Sequence, residues 1–378
     1  MKRTISVLLA AVLLLGVMGA CGEKGNRSGI WYELAGIDPQ AVAVEADGVG
    51  LPAELYCYWF VFNASMMEYR AYLYADEREE FANIRSPRTR LNWDAPFGNG
   101  TVLDYVLDET METIRFYMTI EALAARYGIV LTEEDRIAIE EERASAAQSM
   151  GGEEGFNRYL ERTGISRESY ERINGIITLF DRLEEESERE GSPIRIGPEE
   201  LDAFALCTDH IYIATVNLTN YASLDAASVE RKRALAEELV SRLQTADDPA
   251  ALFKELADEY SEDPYRAEAP DGYVYARGTM NAAYEAAAGE LPPNGISGVV
   301  EGATGFYIIH RMDLMERLES DPDRMRSIRE ECLTDRIRKE AERMDWKVSR
   351  SVRDIDAAAL YQAYVARNEQ AEREAAAD

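Results

Sequence analysis

The chain has 378 residues, of which 71 are Asp or Glu and 41 are Lys or Arg, giving a net charge of −30. So acidic a surface repels phosphate and excludes nucleic acid as a partner. Two histidines are too few for most zinc chemistry, and no cofactor is implied.

Residues 1–20 read as a targeting segment: Lys2 and Arg3, an apolar run from Val7 to Val17, then Met18-Gly19-Ala20 before Cys21. This is the pattern of a bacterial lipoprotein signal peptide, with Met18 an unusual residue at its position. An ordinary signal peptide cut near Ala20, with Cys21 a bystander, is the other reading. Acyl chains on Cys21 would hold the mature body at the outer face of the cell membrane, an extracytoplasmic location. The apolar run is short for a spanning helix, and no other stretch is longer. Beyond Cys21, Cys57, Cys207 and Cys332 are far apart and odd in number, so they imply no disulfide framework. One bridge or buried thiols both fit, the second better, because Cys57 and Cys332 sit in apolar helical patterns.

Residues 21–42, rich in Gly, Asn and Ser at the start, are expected to be a tether. A helical block is expected over 43–200. Ala43 to Gly48 reads as a short strand and turn. Leu51-Pro52 opens a helix carrying Tyr56, Trp59, Phe60 and Met67, aromatic on nearly every side and so either core or partly exposed for a partner. Thr101 caps a long amphipathic helix that Gly128 stops, and Thr132 opens the next. Phe156–Thr163 and Ser166–Leu183 read as two more. Residues 316–378 form further helices around an extended Trp346-Lys347-Val348. An amphipathic helix with nothing to pack on is unstable, so this segment is expected to return to the N-terminal block.

Between these blocks, 205–315 has a different texture. His210-Ile-Tyr-Ile-Ala-Thr-Val216 is a strand pattern, Val229–Leu243 a helix, and Asp248-Pro249 caps a helix bearing Phe253, Leu256, Ala257 and Tyr260. Tyr273-Val274-Tyr275 and Phe306–Ile309 are further strands. The order β-α-α-β-α-β in about a hundred residues is a small α+β domain.

These residues resemble a parvulin-type peptidyl-prolyl isomerase domain. Asp209-His210-Ile211 resembles its opening strand, and Phe253–Asp263, ending Tyr-Ser-Glu-Asp, its helix end. Gly278-Thr279-Met280 with Tyr284-Glu285-Ala286 resembles its Gly-x-Met and Phe-Glu element, and Thr304–Ile309 its closing strand. The resemblance implies a small antiparallel sheet with surrounding helices, inserted in a mostly helical chaperone-like domain such as extracytoplasmic foldases carry. It implies substrates that are unfolded or partly folded secreted chains with X-Pro bonds. It implies that Met280 and Tyr284 wall a pocket for the prolyl ring, and that His210, Asp263, Thr304 and Tyr307 form a polar floor.

Taken alone, Met280 and Tyr284 at i, i+4 also fit core packing, His210 a hydrogen-bonded core histidine, and Asp263 a turn cap before Pro264. Two departures stand out: Tyr307 occupies the family's second histidine position, and Ala269-Pro270-Asp271-Gly272 replaces its glycine-rich turn. Tyr307 can still donate one hydrogen bond to His210 or Thr304. His310 is three residues away on the same strand, hence on the opposite face, and cannot substitute. Arg231-Lys232-Arg233 is expected to be a solvated helix face, not a phosphate reader. A non-catalytic holdase in which the parvulin fold survives as a binding module is the alternative function. A solute-binding lipoprotein is disfavoured, because the N-terminal block reads helical.

Overall fold

A computed structural model describes residues 28–76 and 78–375. Cys21 and the targeting segment lie outside the described residues. The chain divides into two compact units: the described residues up to Asp181 together with those from Arg338 onward, and Arg182–Ile337. The architecture is α+β, mostly helical, with a small antiparallel sheet in the second unit.

In the first unit the long helices are Ala53–Tyr74 and Val102–Tyr127. Thr101 starts the second of these with a full capping box: its hydroxyl accepts from Asp104 N, while the Asp104 carboxylate accepts from Thr101 N. Lys347–Val348 pairs with Val42–Ala46, which pairs in turn with Val49–Pro52. The last helix, Ala357–Ala375, buries Tyr361 against Trp93, with ring centroids 5.6 Å apart, and Tyr361 Oη donates to Glu68 at 2.7 Å. The predicted tether is shorter than expected. Ile30, Trp31 and Ile37 are buried, Trp31 stacks on Tyr364 at 5.6 Å, and its indole N–H donates to Gly164 O. An indole with a satisfied N–H is an anchor, so the folded body begins by Ile30.

In the second unit, Ala205–Ala214 is the central strand of a four-stranded antiparallel sheet. It pairs with Tyr273–Ala276 on one side and Gly305–Arg311 on the other, and Val300–Glu301 continues from the latter. Helices Ala226–Gln244 and Pro249–Tyr260 cover one face, where Phe253, Leu239, Leu243 and Leu256 pack on Ile211, Ile213, Phe306 and Ile308. The predicted boundaries at 200 and 316 fall inside this unit. Helix Pro322–Arg343 is tied to it as far as Ile337, by Arg329, which reaches Glu188 at 2.5 Å, and by Arg336, which reaches the Glu200 carboxylate at 3.0 Å. Cys57, Cys207 and Cys332 are each buried as thiols. Among the described residues, no helix is long and apolar enough to cross a membrane.

Candidate active site

The site lies on the sheet face opposite helices Ala226–Gln244 and Pro249–Tyr260. Antiparallel pairing sets Ile309 against His210 and Tyr307 against Tyr212, so side chains at 206, 208, 210 and 212 share a face with 307 and 309. Tyr275, Tyr284, Leu206, Ala288 and Ile309 form its buried cluster, and Met280, Tyr273 and Tyr307 pack against it half-buried.

The Tyr-Ser-Glu-Asp string has a structural reason. Strand Tyr273–Ala276 pairs only with residues 205–208, which leaves the later edge of the central strand open. Ser261 and Glu262 close it. Ser261 Oγ accepts from Tyr212 N at 3.1 Å, Glu262 N donates to Tyr212 O at 2.7 Å, and the Glu262 carboxylate accepts from Ala214 N at 2.7 Å. This satisfies backbone groups that would otherwise be unpaired, and it delivers the next residue, Asp263, to His210. Gly305 is required for the same closeness: a Cβ there would lie 2.5 Å from both Ile213 O and the Tyr212 ring.

His210 is held at both ring nitrogens. Nδ1 lies 3.1 Å from Tyr284 Oη, which is itself 2.8 Å from Thr208 Oγ1, and Nε2 lies 3.3 Å from Asp263 Oδ2. A carboxylate only accepts, so Nε2 carries the proton toward Asp263 and Nδ1 accepts from the Tyr284 hydroxyl. Burial would raise the Asp263 carboxyl, but hydrogen bonds from His210 and Tyr273 outweigh it and bring it down to about 2. Burial pushes the Tyr284 hydroxyl well above the usual tyrosine range, which keeps it a donor.

Of the residues singled out in the sequence, His210, Asp263, Tyr284 and Tyr307 come together, with Met280 packed on the same cluster. Tyr307 meets His210 by its ring edge, 5.7 Å between centroids at 74°, and stacks on Tyr212 at 5.0 Å. Thr304 enters through its backbone: its carbonyl accepts from Tyr212 Oη and from Thr215 N, each at 2.8 Å. His310 lies on the helix-covered face, with its ring 5.2 Å from Phe253 and Nε2 buried without a hydrogen-bond partner.

Arg231 is exposed, as expected of a solvated face, whereas Lys232 binds Glu262 at 2.5 Å and Arg233 binds Glu301 at 2.8 Å. Sequence reasoning missed Tyr273, whose ring stacks on His210, and Tyr212. Among the described residues, no group of three or more His, Cys, Asp or Glu side chains could hold a metal ion.

Residues 210–313 match the family model for the rotamase, PPIC-type PPIase domain. Among solved structures, the chain is similar to the peptidylprolyl isomerase PrsA from Bacillus cereus at 17% identity, covering 68% of this chain and 94% of that one, with a TM-score of 0.32. PrsA from Bacillus subtilis matches at 14% identity, 65% and 88% coverage and a TM-score of 0.25. The foldase protein PrsA from Lactococcus lactis matches at 11% identity, 86% and 99% coverage and a TM-score of 0.21. No curated protein matches the chain. The segment that carries the His210 site is thus a parvulin-type peptidyl-prolyl cis-trans isomerase domain, inserted in sequence between the two parts of a mostly helical unit.

Proposed function

We propose that the chain is a lipid-anchored extracytoplasmic foldase that isomerises X-Pro bonds in secreted polypeptides, with Cys21 as the acylated residue. The observation that carries the catalytic part is the His210 imidazole gripped between Tyr284 Oη and Asp263 Oδ2, beside Met280, inside the matched domain. The X-Pro bond crosses a barrier of roughly 18–20 kcal/mol and turns over in tens of seconds unaided. No covalent step is needed. The twisted amide has lost resonance and is less polar at its carbonyl, so a dry pocket that favours it over the planar form lowers the barrier.

In this reading Met280 and the Tyr284 ring form the wall for the prolyl ring. His210 and Asp263, oriented by each other, form the floor, and Tyr307 closes the far side. The Thr304 carbonyl anchors Tyr212, which backs Tyr307. The test is NMR exchange or a protease-coupled assay on an Ala-Pro peptide with the full chain. Acceleration that Met280→Ala removes is expected. A folded chain with no acceleration would leave the domain a binding module.

The holdase reading is favoured by one observation. Phe62, Met66, Tyr69 and Leu73 lie at i, i+4, i+7 and i+11 on helix Ala53–Tyr74 and are 45, 37, 55 and 43% exposed. One continuous apolar stripe of this kind suits an unfolded segment. Under that reading, Tyr69→Ser with Met66→Ser abolishes protection of an aggregating client, while Met280→Ala leaves it intact.

A further inference from the structure

The site contains a ring that neither the family motifs nor the proposed wall and floor account for. Tyr273 lies nearly parallel to His210, with ring centroids 5.3 Å apart and planes 19° apart. Its hydroxyl donates to Asp263 Oδ2 at 2.5 Å, the same oxygen that receives His210 Nε2. Packing alone would ask for a flat ring here. It would not ask for a hydroxyl aimed at the one carboxylate oxygen that orients the histidine.

On the reading that this site isomerises X-Pro bonds, we infer that Tyr273 is a positioning residue: it covers one face of His210 and fixes the Asp263 oxygen to which His210 is tied. The backbone around it is built for that placement. Tyr273 pairs with Thr208, and Gly272 just before it has φ +80°, with a Cβ there lying 2.9 Å from Thr208 O. Only glycine brings the chain this close in this conformation. Between Asp263 and Tyr273, Arg266 clamps the loop, bonding Asp209 Oδ1 and Asp258 Oδ1 at 2.7 Å each. Asp209 Oδ1 also accepts from His210 N at 2.7 Å. The loop is therefore tied to the strand that carries the histidine.

The hydrogen bonds converge on Asp263. Thr208 gives to Tyr284, Tyr284 gives to Nδ1, Nε2–H gives to Asp263, and Tyr273 gives to Asp263 from the other side. Removing the last donor leaves Asp263 with less to hold its charge and its orientation. Burial and the neighbouring carboxylate together raise the Tyr273 hydroxyl, which accords with a donor that keeps its proton.

Because the chain has only two histidines, ¹⁵N-histidine spectra resolve the site directly, with His310 on the opposite face as an internal reference for the fold. In full-length Tyr273→Phe, the Asp263 titration midpoint is expected to rise by about one pH unit. The His210 ring signals move, the His310 signals stay, and kcat/KM falls about tenfold, as for one lost charge-assisted hydrogen bond. Tyr273→Leu, which also loses the stacked ring, moves His210 further.

Unchanged Asp263 and His210 titrations in Tyr273→Phe overturn the inference. If the His310 signals move as well, the unaltered chain decides: a slowly exchanging Tyr273 hydroxyl proton with a cross-peak to the His210 ring sustains it, and a freely exchanging hydroxyl overturns it. A wild-type chain with no isomerase activity would sink the isomerase reading alone, since none of these spectra depends on turnover.

Discussion

The two histidines make a controlled comparison. His210 and His310 sit on neighbouring strands of one sheet, one register position apart, on opposite faces. On one face, His210 meets one hydroxyl and one carboxylate that satisfy both its nitrogens. On the helix-covered face, His310 meets the Phe253 ring and leaves Nε2 unpartnered, and burial lowers its pKa from the ordinary histidine value, with only Asp209 pulling the other way. The same side chain is thus held at both ring nitrogens on one face and left with an unpartnered nitrogen on the other. What differs is whether neighbouring groups can complete its hydrogen bonds, since a buried polar atom without a partner carries its full desolvation cost.

The largest effect that should separate the faces is Phe253→Ala. Phe253 is 1% exposed at the centre of the helix-side core, and its truncation should cost about 3–5 kcal/mol in urea unfolding. The His210 contacts in the folded fraction should persist. Met280→Ala should do the reverse. With Met280 only partly buried, stability changes little while kcat/KM falls by ten- to a hundredfold, corresponding to about 1.5–3 kcal/mol of lost apolar contact. A large fall in stability together with activity would show that Met280 is core and not wall.

His310→Phe tests the histidine on the helix-covered face. Its folded pKa is depressed, so the unfolded chain binds the proton more readily. His310 therefore contributes nothing adverse above the ordinary value of 6.5, and it costs stability as the pH falls below that value. Unfolding curves between pH 7.5 and 5 should lose less stability in the variant. An identical slope in both proteins would remove His310 as the cause. The smallest effect expected is a gain of a few-fold in kcat/KM for Tyr307→His, below 1 kcal/mol in barrier, because a smaller ring with a second donor replaces one that meets His210 only by its edge. A loss in that variant would mean that the stack on Tyr212 matters more than the pocket's width.

Much of the site was legible because its parts are short strings. Tyr-Ser-Glu-Asp, Gly-x-Met and Thr-Gly each lie within a few residues, and each string does one local job: closing a strand edge, turning the chain, or permitting close approach at Gly305. Period-two alternation by itself puts Tyr307 and His310 on opposite faces. Tyr273 was not legible. As a β-former between glycines it reads as any strand residue, and its stack on His210 exists only because its strand pairs with residues 205–208. The exposed stripe on helix Ala53–Tyr74 was equally hidden, since a helix aromatic on nearly every side does not say which side its neighbours will cover.

Local chemistry in the sequence determined the helix starts at Thr101 and Asp248 and the α+β class, because caps, glycines and periodic apolar residues act over a few positions. The parvulin-type domain was legible through the resemblance of its motifs to that family. Tertiary structure alone decided that the body begins near Ile30, that Lys232 and Arg233 pair with Glu262 and Glu301, that Thr304 meets Tyr212 through its carbonyl, and that Tyr273 shares Asp263 with His210. Each of these depends on which residues distant in sequence are brought within hydrogen-bond or van der Waals reach. Pairing register and burial set that distance, and neither is a property of any single stretch of chain.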